Sequence, residues 1–167
     1  MKDRHHILVV EDELGIALTL YSTLSRADYK VVHAKTGRTA LRKAANHYFD
    51  LILLDLGLPD ISGLEVCRRL RAESITAPII ILTGDGTLRS KLGLFDAGAT
   101  DYMTKPFNLE ELLARIKAGL RPQPDYPNQP PMQVGELILH LARRSVERAG
   151  MLIELRKKEF ALLEYFM

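Results

Sequence analysis

At 167 residues the chain is long enough for one ordinary domain with an appendage or for two small ones, and 47% hydrophobic with 26% charged residues excludes a disordered polymer. A formal net charge of +2 excludes a strong field for nucleic acid or membrane: residues 1–121 carry 17 basic and 15 acidic side chains and residues 132–167 carry 6 and 5, so DNA binding does not follow from charge. The lone cysteine, Cys67, excludes an internal disulfide and suits a reducing cytoplasm. Residues 1–4 are charged and run into Ile7–Val10, which is too short for a secretory or membrane-spanning segment.

In chain order, the first 120 residues alternate between two hydrophobic rhythms. Apolar runs at Ile7–Val10, Lys30–Ala34, Leu51–Leu54, Pro78–Leu82 and Thr100–Thr104 predict strands. Three of them are unbroken by polar residues, as in a parallel sheet covered on both faces. Between and after them come helical stripes: Leu14, Ala17, Leu18, Tyr21 and Leu24; Leu41, Ala44, Ala45 and Tyr48; Leu64, Cys67 and Leu70; Leu88, Leu92 and Phe95; Leu109, Leu112, Leu113, Ile116 and Leu120. Cys67, among Leu64, Val66 and Leu70, reads as a small buried hydrophobe, not a nucleophile. Five strand–helix units predict a doubly wound, open parallel α/β sheet with strand order 2-1-3-4-5.

At residue 121 the texture changes. The stretch Arg121–Pro131 holds five of the eight prolines, which predicts an extended, semi-rigid linker over 122–131. Beyond it Leu137–His140, Ser145–Arg148 and Met151–Leu155 read as short strands, with Ala149-Gly150 turning between the last two. Lys157–Met167 reads as the opening of a helix. The expected domains are therefore 1–121 and 132–167.

Ligands of open parallel sheets bind at the carboxyl ends of the strands. Glu11-Asp12 follow the first predicted strand, Asp55 closes the third, Thr83 follows the fourth and Lys105-Pro106 the fifth. Clustered carboxylates repel unless a cation sits among them, and an all-oxygen donor set favours a hard ion such as Mg²⁺. With Asp12 and Asp55 on the ion, one Asp55 oxygen stays free as a nucleophile. Lys105 and the Thr83 hydroxyl then face the equatorial oxygens of a phosphoryl group. Singly, each of these residues is more often a cap or a solvated charge; their agreement across four strand ends points to an aspartyl-phosphate site.

The segments that carry these residues resemble the receiver domains of two-component response regulators over the whole of 1–121. They are Ile7–Asp12, Asp50–Asp55, Leu58-Pro59, Ser62-Gly63, Pro78–Thr83 and Gly98–Phe107. The resemblance implies a flavodoxin-like fold and Asp55 as phosphoacceptor. It implies Asp12, Asp55 and the Gly57 carbonyl as Mg²⁺ ligands, with Glu11 acting through water. Thr83 would be the switch hydroxyl, Tyr102 the switch aromatic and Lys105 the phosphate partner, with a cis Lys105-Pro106 bond. Implied partners are a sensor histidine kinase and a second copy, meeting through the fourth helix, fifth strand and fifth helix; Lys91, Asp101, Glu111 and Arg115 would form reciprocal pairs there. Two departures stand out. Gly84 and Gly86 flank Asp85, which predicts a mobile loop, and Gly57 puts no side chain beside Asp55.

Residues 132–167 resemble the start of an OmpR/PhoB-type winged-helix effector domain through Gly135–Leu139, Ala142–Arg144 and Leu155-x-x-x-Glu159-Phe160-x-Leu162-Leu163. Arg156 stands where the family usually has a capping Thr, at a cost of about 1 kcal/mol. The recognition helix that enters the major groove would lie beyond Met167. The chain is thus expected to be a fragment that does not read DNA alone, with Phe160, Leu163 and Phe166 uncovered. Two other readings stay open. One is a stand-alone receiver acting by protein contact. The other is an aspartyl-phosphate phosphatase, against which stands Gly57 where haloacid-dehalogenase-like enzymes place a second Asp.

Overall fold

A computed structural model describes residues 4–84, 93–121, 131–141, 145–153, 155 and 157–167. Leu88, Lys91, Leu92, Asp85, Gly86, Arg156 and most of the linker lie outside the described residues. The chain divides into two compact units, Met1–Ala44 with Phe49–Arg121 and Ala45–Tyr48 with Pro122–Met167.

In the first unit the strands are β1 (His6–Val10), β2 (Lys30–Ala34), β3 (Leu51–Asp55), β4 (Ile79–Thr83) and β5 (Asp101–Thr104). The helices are α1 (Leu14–Arg26), α2 (Gly37–Asn46), α3 (Gly63–Ala72), α4 (helical over 93–96) and α5 (Leu109–Gly119). All strand pairings are parallel, in the order β2-β1-β3-β4-β5. Alternation along the strands explains the unbroken apolar runs. Leu8, Val10, Ile52, Leu54, Ile79 and Ile81 pack on one face against Ala40, Ala44, Val66, Cys67, Leu70 and Leu94, from α2, α3 and α4. Ile7, Val9, Leu51, Leu53, Ile80 and Leu82 pack on the other against Leu20 and Leu24 of α1 and Leu112 and Ile116 of α5. A strand covered on both sides has no polar face to show in its sequence.

Two helices turn a different face inward from the one predicted. In α1 the buried residues are Ala17, Leu20 and Leu24, whereas Leu14, Leu18 and Tyr21 are 67%, 59% and 51% exposed. The helix carries two apolar stripes, and the one containing Leu20 lies against the sheet. In α4 Leu94 is buried and Phe95 is exposed, one residue out of phase with the expected stripe. β4 and β5 each start one residue later than predicted, which makes Thr83 the last residue of β4, paired with Thr104.

At the amino ends of the strands, the Arg71 guanidinium donates to the carbonyls of Ile75, Ala77 and Gly98. Gly98 has φ +93°, and a Cβ there would lie 2.6 Å from Arg71 Cγ. The buried Cys67 thiol donates to the Ala97 carbonyl at 3.3 Å, and burial pushes its pKa up, as befits a core residue.

The second unit is a four-stranded antiparallel sheet, β6 (Met132–Val134), β7 (Leu137–His140), β8 (Ser145–Arg148) and β9 (Met151–Ile153), followed by α6 (Lys157–Phe166). β6 went unpredicted because Met132-Gln-Val134 is too short to show a pattern; its signal is Gly135, at φ +61° where the hairpin turns. Ala149 and Gly150, at φ +50° and +77°, make the primed turn between β8 and β9. Phe160 is not uncovered as expected: it is 1% exposed, in a small core with Leu139 and Val146, and the Tyr48 ring of the same unit lies edge-on to it at 5.7 Å. Phe166 is exposed as expected, at 73%.

Candidate phosphoacceptor site

β1, β3 and β4 are neighbours in the sheet and carry Glu11-Asp12, Asp55 and Thr83 at or just past their carboxyl ends. In-register pairing of Val10 with Leu54, and of Asp55 with Leu82, sets these ends level. One carboxylate oxygen from each of Glu11, Asp12 and Asp55 falls within a group no more than 4.8 Å across. Glu11 is fully buried and Asp55 is 7% exposed. Lys105, in the turn after β5, reaches this group from the other side. Its Nζ lies 2.8 Å from Glu11 Oε2 and 3.1 Å from Asp55 Oδ2. The Lys105 backbone N–H donates to the Thr83 carbonyl at 2.7 Å, and the Lys105-Pro106 bond is cis.

Burial, and next the charge of Asp55, raise the Glu11 pKa, against the opposing bonds from Lys105 and the Glu13 N–H. For Lys105 burial acts downward, but the two carboxylates outweigh it and the ammonium is held charged. Glu11 therefore carries the desolvation cost of the pair. Its backbone is gripped by β2, with its N–H on the Ala34 carbonyl at 3.1 Å and its carbonyl 2.7 Å from His33 Nε2.

Close packing holds Asp55 as well. A Cβ on Gly63, the first residue of α3, would sit 2.1 Å from the Asp55 carbonyl oxygen, so only glycine admits the helix this near. Ser62 caps α3 by accepting from the Glu65 N–H. Thr83 is 2% exposed, and Gly57 is exposed with space beside Asp55. Tyr102 is half-buried, its ring edge-on to Phe95 with centroids 6.0 Å apart.

Glu11, expected to act on the ion through water, is the most buried carboxylate among the described residues and pairs with Lys105 at 2.8 Å. Sequence alone held no sign of that pairing, which depends on side-chain reach. Three of the residues predicted to pair across a dimer are joined within the chain: Arg115 contacts Asp101 Oδ2 at 2.6 Å and Glu111 Oε1 at 2.7 Å. Lys91, the fourth, lies outside the described residues. Asp60, absent from the sequence-based site, accepts hydrogen bonds from the Gly37, Arg38 and Ile61 N–H groups.

An open parallel sheet of this order, with an acidic cluster and a lysine at its carboxyl edge, defines a flavodoxin-like doubly wound domain with its site where such folds bind ligands. The family model of the response regulator receiver domain matches residues 7–117, and the chain belongs to that family. Response regulator ArlR of Staphylococcus aureus is 44% identical over 157 residues, 94% of this chain and 70% of the relative. That alignment is longer than the receiver unit and so extends into the second unit, as expected of the start of an OmpR/PhoB-type effector domain. Among solved structures, a CheY-like receiver domain protein from Methanospirillum hungatei JF-1 superposes with TM-score 0.68 at 32% identity, covering 71% of this chain and 94% of the other. The receiver domain of sensor histidine kinase PA1611 from Pseudomonas aeruginosa PAO1, described with a magnesium ion coordinated in its active site cleft, superposes with TM-score 0.66 at 30% identity, covering 71% and 98%.

Proposed function

We propose that the chain is a phosphorylation switch: Asp55 accepts a phosphoryl group from a sensor histidine kinase, and an attached effector domain translates this into control of transcription. The observation that carries the proposal is a nearly buried Asp55 carboxylate held between a cation, Lys105, and two further carboxylates. An Asp55 oxygen forms the new O–P bond as the N–P bond of the donor phosphohistidine breaks, and the imidazole leaves with its electron pair. Lys105 then turns from carboxylate counterion to partner of the added charge, which amounts to roughly two negative units by analogy with other phosphorylated side chains.

The three carboxylates fit a hard divalent cation by donor type and proximity, so Asp12, Asp55 and Glu11, with the Gly57 carbonyl, are the residues to hold Mg²⁺. Bound there, Mg²⁺ would neutralise phosphoryl oxygens and relieve carboxylate repulsion. Thr83 and Tyr102 are the groups proposed to respond, Thr83 toward the phosphoryl oxygens and Tyr102 inward. Dimerisation through α4, β5 and α5 is the proposed output, with Asp101, Glu111 and Arg115 exchanging internal for reciprocal pairs. DNA contact belongs to the complete effector domain. No described helix is long and apolar enough to cross a membrane, in keeping with a cytoplasmic switch.

The test treats wild type and Asp55→Ala with Mg²⁺ and a small phosphodonor and measures intact mass. One phosphate-sized gain in wild type, absent from the variant, supports the proposal; an equal gain in both rejects it. Stoichiometric labelling without steady hydrolysis of a chromogenic phosphate monoester separates a switch from a phosphatase.

A further inference from the structure

Residues 56–62 connect the phosphoacceptor to α3 and include the Gly57 carbonyl assigned above to the cation. The segment is short of regular hydrogen bonds, yet it is fastened at three places. Leu58 is buried in the core, and Gly63 packs on the Asp55 backbone with its N–H on the Leu56 carbonyl at 3.1 Å. Asp60 makes the third fastening: Oδ1 accepts from the Gly37 N–H at 2.8 Å and Oδ2 from the Arg38 N–H at 2.9 Å, while the Ile61 N–H also bonds to Oδ1.

These bonds cap α2 from another part of the chain. Thr36 supplies the local cap through its bond from the Thr39 N–H, and α2 has no acidic residue in its first turn, so Asp60 provides the negative charge its dipole favours. Independent packing marks the same seam: a Cβ on Gly37 would lie 2.6 Å from both Ile61 Cγ1 and Val66 Cγ2, so α2 meets this segment closely only because residue 37 is glycine. Three N–H groups hold the Asp60 carboxyl at a pKa of about 2, so it is ionised at any physiological pH.

We propose that Asp60 is a positioning residue for the phosphoacceptor site, bolting the segment that carries the Gly57 carbonyl to the start of α2 so that the divalent-cation site is formed in advance. This rests on the phosphoacceptor reading above. A ligand group already in place is not ordered at the expense of binding. Without the Asp60 carboxylate, residues 57–61 lose their hydrogen bonds to α2 and keep the packing of Leu58 and Ile61, and the cation must complete their ordering.

Calorimetric titration of the full chain with Mg²⁺ tests this. Asp60→Ala is expected to raise the Mg²⁺ dissociation constant by about tenfold, the lower end of the loss seen when groups supporting metal ligands are removed. Phosphorylation by a small phosphodonor should then need more Mg²⁺ but reach the wild-type rate at saturation. Asp60→Asn, which keeps a capping oxygen, should restore most of the affinity. Ile116→Val, a core change on the opposite face of the sheet, controls for general destabilisation and should leave the constant unchanged. A constant for Asp60→Ala within about twofold of wild type, or an equal shift in Ile116→Val, overturns the proposal. Failure of wild type itself to bind Mg²⁺ would reject the phosphoacceptor reading and this inference with it, whereas equal tight binding by wild type and Asp60→Ala rejects the inference alone.

Discussion

Lys105→Met removes the cation that sits between two carboxylates of the site, 2.8 Å from Glu11 and 3.1 Å from Asp55. Breaking a buried pair by deleting one partner costs about 3–5 kcal/mol. The Lys105 side chain is 21% exposed while Glu11 is fully enclosed, so water screens part of that loss and about 2–3 kcal/mol is expected at pH 8. The pH dependence has a definite sign. The folded-state pKa of Glu11 is raised, so its ionised form opposes folding at high pH, and that penalty is relieved as pH falls through the folded pKa. Losing the ammonium raises this pKa further, so relief starts at higher pH in the variant and the gap to wild type narrows with acidification. Urea unfolding followed by far-ultraviolet circular dichroism, at pH 8 and pH 5 without divalent cation, measures both effects. Added Mg²⁺ should then stabilise the variant more than wild type, because Lys105 no longer competes for the carboxylates. A gap below about 0.5 kcal/mol at pH 8, or one that widens toward pH 5, would refute the reasoning.

Gly63→Ala forces a Cβ to 2.1 Å from the Asp55 carbonyl oxygen, and since the obstacle is backbone the expected loss is about 3 kcal/mol, seen in thermal unfolding together with weaker labelling of Asp55. Arg115→Gln breaks the contacts to Asp101 and Glu111, but at 37% side-chain exposure the loss should stay under about 1 kcal/mol and shrink further in concentrated salt. Ala149→Asn places a residue tolerant of positive φ in the β8–β9 turn and should stabilise the second unit by about 0.5–1 kcal/mol, read as greater hydrogen-exchange protection of those strands.

Much of the first unit was legible because both of its signals are local. Leu51–Leu54 is an apolar run that two layers of helices must cover, and a carboxylate directly after it is conspicuous. Strand order follows from the number of strand–helix units, and the sheet then brings Glu11, Asp12, Asp55 and Thr83 to one edge. Facing was less legible. The α1 residues Leu14, Leu18 and Tyr21 satisfy helical periodicity as well as Ala17, Leu20 and Leu24 do, and only the sheet decides between them. Contacts across long sequence separation were invisible: Glu11 with Lys105, and Asp60 with the α2 backbone. In the second unit, the burial of Phe160 was not legible because part of its cover is Tyr48, more than a hundred residues earlier in the chain.

Arg71 bears on how such a sheet deforms. Its guanidinium joins the approach to β4 with the approach to β5, and Cys67 adds a second stitch to the end of α4, all at the amino edge. The opposite edge holds the charged cluster of Glu11, Asp12, Asp55 and Lys105. The described end of α4, just before Ala97 and Gly98, is thereby tied to the edge of the sheet opposite the charged cluster.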